Sequence, residues 1–145
     1  MTRKADLLAG KVALVTGGAQ GLGRAIVDGF AAAGARGLLF DLLPADDSLP
    51  AGWSFERGDV GKEDDVISAV ARARAEFGRL DVAVANAGIV PPWHDTETVD
   101  LAEWDRVFAV NARGVMATIK HAVPLMKQQG GSIVAMGSTN SWIGH

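Results

Sequence analysis

Residues 11–23 read KVALVTGGAQGLG, and the fold turns on how this stretch is read. Val12-Ala13-Leu14-Val15 is a short apolar run, β-branched at both ends, which suits a strand buried on both faces of a parallel sheet. It stops at Thr16, and Gly17, Gly21 and Gly23 follow. From Arg24 to Ala33 the apolar residues recur at helical spacing. Strand, glycine turn and helix together aim backbone N–H groups at a phosphate. Each glycine has a separate task in that reading. Gly17 permits a sharp turn off the strand. Gly21 removes a Cβ where a pyrophosphate would approach, and Gly23 lets the first helical turn sit close against the sheet. The spacing G-x-x-x-G-x-G differs from the commoner G-x-G-x-x-G fingerprint. Gly18 to Gly23 also fits the G-x-x-x-x-G of a triphosphate-binding loop. Arg24 and Ala25, however, stand where that loop needs Lys and a hydroxyl residue, so a magnesium ligand is missing. A glycine-rich turn without a ligand is the plain alternative for this stretch taken alone.

Outward from that turn, the composition sets bounds. The chain of 145 residues is long enough for one domain and can bury about two-thirds of its unfolded surface. It is 48% hydrophobic and 21% charged, ordinary for an α/β protein. The formal net charge of −3, with no basic run, argues against nucleic-acid binding. The absence of cysteine rules out disulfides, thiolate catalysis and zinc–cysteine sites. That fits a cytoplasmic location. No apolar stretch approaches the ~20 residues of a membrane span. MTRKADLLAG lacks a secretory core and reads as a lead-in to the first strand.

Along the chain, residues 36–41 read as a second strand that ends in Asp41. An acidic side chain at that tip can accept hydrogen bonds from both adenosine ribose hydroxyls and repels a 2′-phosphate. Leu42 follows it and Gln20 sits in the glycine loop, so nothing positive waits for a 2′-phosphate. NAD is therefore expected rather than NADP. The competing reading is that Asp41 only terminates a strand. A Pro/Asp/Ser-rich loop leads to a third strand, residues 53–57, which ends at Gly58-Asp59-Val60. Residues 62–77 form an amphipathic helix stopped by Gly78. Leu80 to Ala85 reads as the fourth strand, followed by Asn86-Ala87-Gly88. Small residues at a strand's carboxyl end let a flat ligand lie against backbone. The loop 89–98 carries Trp93 and His94, and a lone loop histidine is read as surface. Residues 101–109 begin a helical region. Asn111 inside it competes with the backbone for hydrogen bonds, which predicts a kink or a held water. Pro124 should bend or split the helix that runs on to about residue 129. Ser132 to Met136 is the fifth strand, with Ser138 just beyond it.

These motifs, in this order, resemble the short-chain dehydrogenase/reductase family. TGGAQGLG matches its T-G-x-x-x-G-x-G signature. Asp59-Val60, Asn86-Ala87-Gly88, Val110-Asn111-Ala112-Arg113-Gly114 and Gly131-Ser132-Ile133-Val134 leading to Ser138 match in sequence. The resemblance implies a Rossmann-type doubly wound α/β fold with strand order 3-2-1-4-5. It implies reversible hydride transfer between NAD(H) and a secondary alcohol or ketone. It places Gly17, Gln20, Gly21, Leu22 and Gly23 on the pyrophosphate and Asp59 and Val60 on the adenine. Asn86, Ala87 and Gly88 stabilise the sheet and border the nicotinamide side. Asn111 would hold a relay water, and Ser138 the substrate oxygen. The family associates as homodimers or homotetramers, usually through the helix at 114–129 and a neighbour.

The resemblance breaks at the proton donor, a tyrosine in a Y-x-x-x-K pair whose lysine lowers its pKa from about 10. The sequence has no tyrosine. The match covers roughly the first 60% of a family member, so residues 1–145 are expected to be a single NAD-binding domain, incomplete at its carboxyl terminus after the fifth strand. The chain by itself is expected to be inactive. A fifth strand left open would expose Ile133, Val134 and Met136. The alternative is a short NAD-binding or interaction module without catalysis.

Overall fold

In the computed structural model, residues 7–46 and 48–139 are described; most of the lead-in, residues 1–6, lies outside them. Five strands form one parallel sheet: β1 (Val12–Thr16), β2 (Arg36–Asp41), β3 (Trp53–Arg57), β4 (Val82–Ala85) and β5 (Ser132–Ala135). Their order is β3-β2-β1-β4-β5, as expected. All five residues of β1 are buried, which is what an apolar run at the centre of a parallel sheet requires. Leu14 pairs with Leu38 on one side and Ala83 on the other.

Alternation along β1 divides the core. Val12 and Leu14 point to one face, with Leu38 and Phe40, against α2 (Glu63–Phe77) and α4 (Val115–Met126). Ala13, Val15 and Leu39 point to the other, against Val27 of α1 (Gly21–Ala32). The strand therefore has helices on both faces, the doubly wound arrangement. β5 is different: all four of its residues are exposed, and Ile133 and Val134 are open to solvent.

Several boundaries moved. α1 begins at Gly21 rather than Arg24, because the glycines themselves form its first turn. β4 begins at Val82, although the Asp81 backbone still bonds Val12 O and Ser132 N–H on the neighbouring strands. The helical region from residue 101 is α3 (Leu101–Phe108), a π-helical segment (Ala109–Gly114) and then α4. The distortion expected at Asn111 is that π segment, whose wider turn holds Asn111 with its side chain bonded to the Ile89 backbone rather than to the ladder. Pro124 does not split α4, which continues to Met126. Only the last turn follows it, so little of the ladder is lost.

Candidate active site

The carboxyl ends of β1, β2 and β4 open into a cleft of about 440 Å³. β1 ends in Thr16, and its hydroxyl knits the floor together. Thr16 Oγ1 accepts from the backbone N–H groups of Asn86 and Ala87, at 3.1 and 3.0 Å, and donates to Val84 O. The Asn86 amide donates to Thr16 O and Gly17 O, both at 3.0 Å. Asn86 thus has the sheet-stabilising role expected of it. Ala87 and Gly88 follow it into the cleft wall.

The three glycines do different things. Gly17 has φ +66°, and a Cβ there would lie 2.7 Å from Ala87 Cα. Gly23 approaches the Gly17 carbonyl so closely that a Cβ would lie 2.0 Å from its oxygen and 2.5 Å from the Asn86 amide nitrogen. Its close contact is therefore with the turn and Asn86, a correction to the expected contact with the sheet. Gly21 has φ +56° and nothing within 4 Å of where a Cβ would stand. A Cβ there would point into open space. The Gln20 side chain does not cap α1, and no acidic residue stands in its first turn. Its first N–H groups therefore lack side-chain acceptors, and the helix end is positive.

Asp41, at the tip of β2, lines the same cleft. Its two carboxylate oxygens accept from Ala19 N–H and Leu43 N–H, each at 2.9 Å. It therefore ties the glycine loop to the turn after β2, and each oxygen keeps a second lone pair. Arg24 is the cation closest in sequence to the glycines. It is bound to Asp28, Asp46 and Ser48. Its hydrogen bonds to the Asp46 and then the Asp28 carboxylate raise its pKa above the ordinary arginine value.

Asp59 and Val60 line the third side. Asp59 Oδ1 accepts from Gly61 N–H at 2.8 Å, so the turn into α2 and the cleft wall share one residue. All eleven residues read as cofactor contacts (Gly17, Gln20, Gly21, Leu22, Gly23, Asp41, Asp59, Val60, Asn86, Ala87 and Gly88) line this one cleft.

Neither of the two residues read as catalytic lines the cleft, and Asn111 adjoins it through Ile89. The Asn111 side chain closes a pair of bonds with Ile89, accepting from its N–H and donating to its carbonyl, both at 2.8 Å. It fixes the chain leaving Gly88. Ser138 is exposed, beyond the end of β5. Ala85 pairs with Ala135, so Ser138 and Gly88 each lie three residues past a register pair. His94 pairs with Glu103 at 2.9 Å, consistent with its surface reading. Thr16 and Arg106 were not singled out from the sequence, though both belong to this site. A hydroxyl at the last position of a buried strand was the signal for Thr16. Arg106, four residues before Val110, gave no such signal, since it shares its helix face with Glu103 and reads as a solvated charge. Among the described residues no group of metal-ligating side chains gathers, and no helix is long and apolar enough to cross a membrane.

A family model described as short chain dehydrogenase matches residues 11–144. Xanthoxin dehydrogenase of Arabidopsis thaliana is 40% identical over 94% of this chain and 52% of its own length. The sex determination protein tasselseed-2 of Zea mays is 43% identical over 94% of the chain and 44% of its own. A 3-beta-hydroxysteroid dehydrogenase of Comamonas testosteroni is 37% identical, with 94% and 55% covered. The chain spans about half the length of the curated relatives it matches. Two of these relatives are named as dehydrogenases, and the family works with nicotinamide dinucleotides. On the extent of that match and the order of its motifs, the chain belongs to the short-chain dehydrogenase family.

Proposed function

We propose that these residues form the NAD-binding part of an oxidoreductase that moves hydride between the nicotinamide and a secondary alcohol or ketone. The observation that carries the choice of NAD is Asp41. Its carboxylate lines the cleft beside the glycine loop, and the nearby Arg24 is held away by two carboxylates. A negative charge there favours ribose hydroxyls over a 2′-phosphate.

When bound, the nicotinamide supplies the hydride chemistry. The protein supplies the bed. The uncapped N–H groups of α1 take the diphosphate, Asp41 the ribose, and Asp59 and Val60 the adenine. Asn86, Ala87 and Gly88 border the nicotinamide side. Ser138 would hydrogen-bond the substrate oxygen. Asn111, with its side chain engaged by Ile89, would serve the water relay through its π-helical backbone. No tyrosine is present to act as proton donor. The 145 residues are therefore proposed to bind dinucleotide without turnover unless further chain supplies one. A cytoplasmic homo-oligomer acting on a small alcohol or ketone is the accompanying proposal for the whole protein.

The experiment is a pair of titrations with NADH and NADPH on the wild type and on Asp41→Ala. NADH should bind more tightly to the wild type, and the substitution should narrow the gap at least tenfold. An unchanged preference would refute the role of Asp41.

A further inference from the structure

Arg106 on α3 is the only cation among the described residues that line the cleft. Its guanidinium makes no hydrogen bond or ion pair with any described residue. The other arginines around the cleft are engaged. Arg24 is held by Asp28 and Asp46, Arg57 donates to Leu42 O, and Arg113 donates to Gly61 O at 2.6 Å. An unpartnered guanidinium at the mouth of a ligand cleft needs a reason.

Its position supplies one. Arg106 and Val110 are four residues apart, so they fall on one face of the helical region. Both line the cleft; Val110 is half-buried and Arg106 exposed. The end of this helical region packs on the loop that carries Asp59 and Val60, where a Cβ on Gly61 would lie 3.5 Å from Ala109 Cβ. A flat group lying against this side of the cleft therefore meets the apolar Val60 and Val110, with the exposed Arg106 on the same lining. The diphosphate has its own donors at the start of α1, on the opposite side of the cleft. We propose that Arg106 is a lid on the adenine end of the cleft, its guanidinium plane stacking over the purine. This rests on the dinucleotide reading above. The planar, weakly hydrated guanidinium is suited to aromatic faces, and a lysine at the same place is not its equivalent.

Adenosine carries the base without phosphate, and ADP-ribose carries both. Calorimetric titration with ADP-ribose, and its competition by adenosine, would be measured on wild type, Arg106→Ala and Arg106→Lys. The lid predicts that Arg106→Ala weakens both ligands by the same factor, about three- to fivefold, with partial recovery in Arg106→Lys. Weaker ADP-ribose with unchanged adenosine would move the contact to the diphosphate and overturn the proposal. No change in either ligand, or ADP-ribose binding without any competition by adenosine, would overturn it too. In those three cases the dinucleotide reading survives. A wild type that fails to bind ADP-ribose removes that reading, and the lid with it.

Discussion

The two ends of β1 are built on opposite plans. At the amino end every strong polar group is answered. Asp81, 5% exposed, accepts from Val12 N–H at 2.9 Å and takes a forked pair of bonds from Arg79, with Lys11 3.7 Å away. At the carboxyl end, five residues on, Thr16 and Asn86 complete the floor but the first N–H groups of α1 have no capping side chain. One sheet therefore carries a sealed end and an unfinished one. An unfinished end lowers stability, because donors without partners contribute nothing to folding. It persists where a ligand completes it.

Variants at the sealed end should cost the most. Asp81→Ala leaves Val12 N–H without its acceptor and removes a buried charge from its partners. A loss of about 3–5 kcal/mol is expected for breaking such a pair, measured by urea unfolding. Thr16→Val tests the floor of the open end. It keeps the shape but leaves the N–H groups of Asn86 and Ala87 without their acceptor, at about 1–3 kcal/mol. If Thr16→Val cost as much as Asp81→Ala, the contrast between the ends would be lost.

Gly21→Ala should cost less in folding and more in binding. A side chain at φ +56° is strained by about 1–2 kcal/mol, but it meets no atom within 4 Å. On the proposed role of the glycine loop the added methyl would crowd a diphosphate, so affinity for NADH should fall about tenfold or more while the fold survives. Gly23→Ala has the opposite profile. Its Cβ would strike the Gly17 carbonyl, so folding and binding should fail together. Equal behaviour of the two variants in calorimetry would mean that Gly21 is a turn residue and nothing more.

The open end was easier to read from sequence than the sealed one. Its glycines, Asp41 and Asn86 are local punctuation: each marks a strand end or a turn, and such residues keep their meaning over a few positions. Strands β1, β2 and β3 were legible for a related reason, since their boundaries are set by runs of apolar residues between turn signals. Asp81 was not legible. Within Leu80-Asp81-Val82 it reads as one more strand residue, and its partner Val12 is 69 positions away. Only the parallel pairing of β1 with β4 brings them together. Thr16 is similar, a strand-terminal residue whose bonds go to positions 84, 86 and 87. The π segment was half legible. Asn111 signalled a distortion, but its cause, the pairing with the Ile89 backbone, depends on where the loop after β4 runs. Arg106 was hidden because a basic residue on an exposed helix is ordinarily solvated.

The smallest expected effect compares two carboxylates at different depths. Burial would push Asp81 up, but hydrogen bonds from Arg79 and Val12 N–H outweigh it and hold the carboxyl below its usual range. Glu63, at the start of α2, is held down to about 2 by hydrogen bonds from Lys120 and then His121 on α4. Both folded values lie below the unfolded ones. Each carboxylate therefore adds stability above its unfolded pKa of about 4, and that stability is lost as pH falls toward the folded value. Glu63 is exposed, so water and salt screen most of its share. Urea midpoints of Glu63→Gln and the wild type should differ slightly at pH 7 and low salt, and converge either in 1 M salt or near pH 2. Asp81→Asn should keep a clear deficit in 1 M salt at pH 7, because Asp81 and its partner Val12 N–H are buried, although Arg79 and Lys11 are open to the solution. A salt-resistant deficit at Glu63 as large as that at Asp81 would show that burial is not what separates the α2–α4 contact from the sealed end of the sheet.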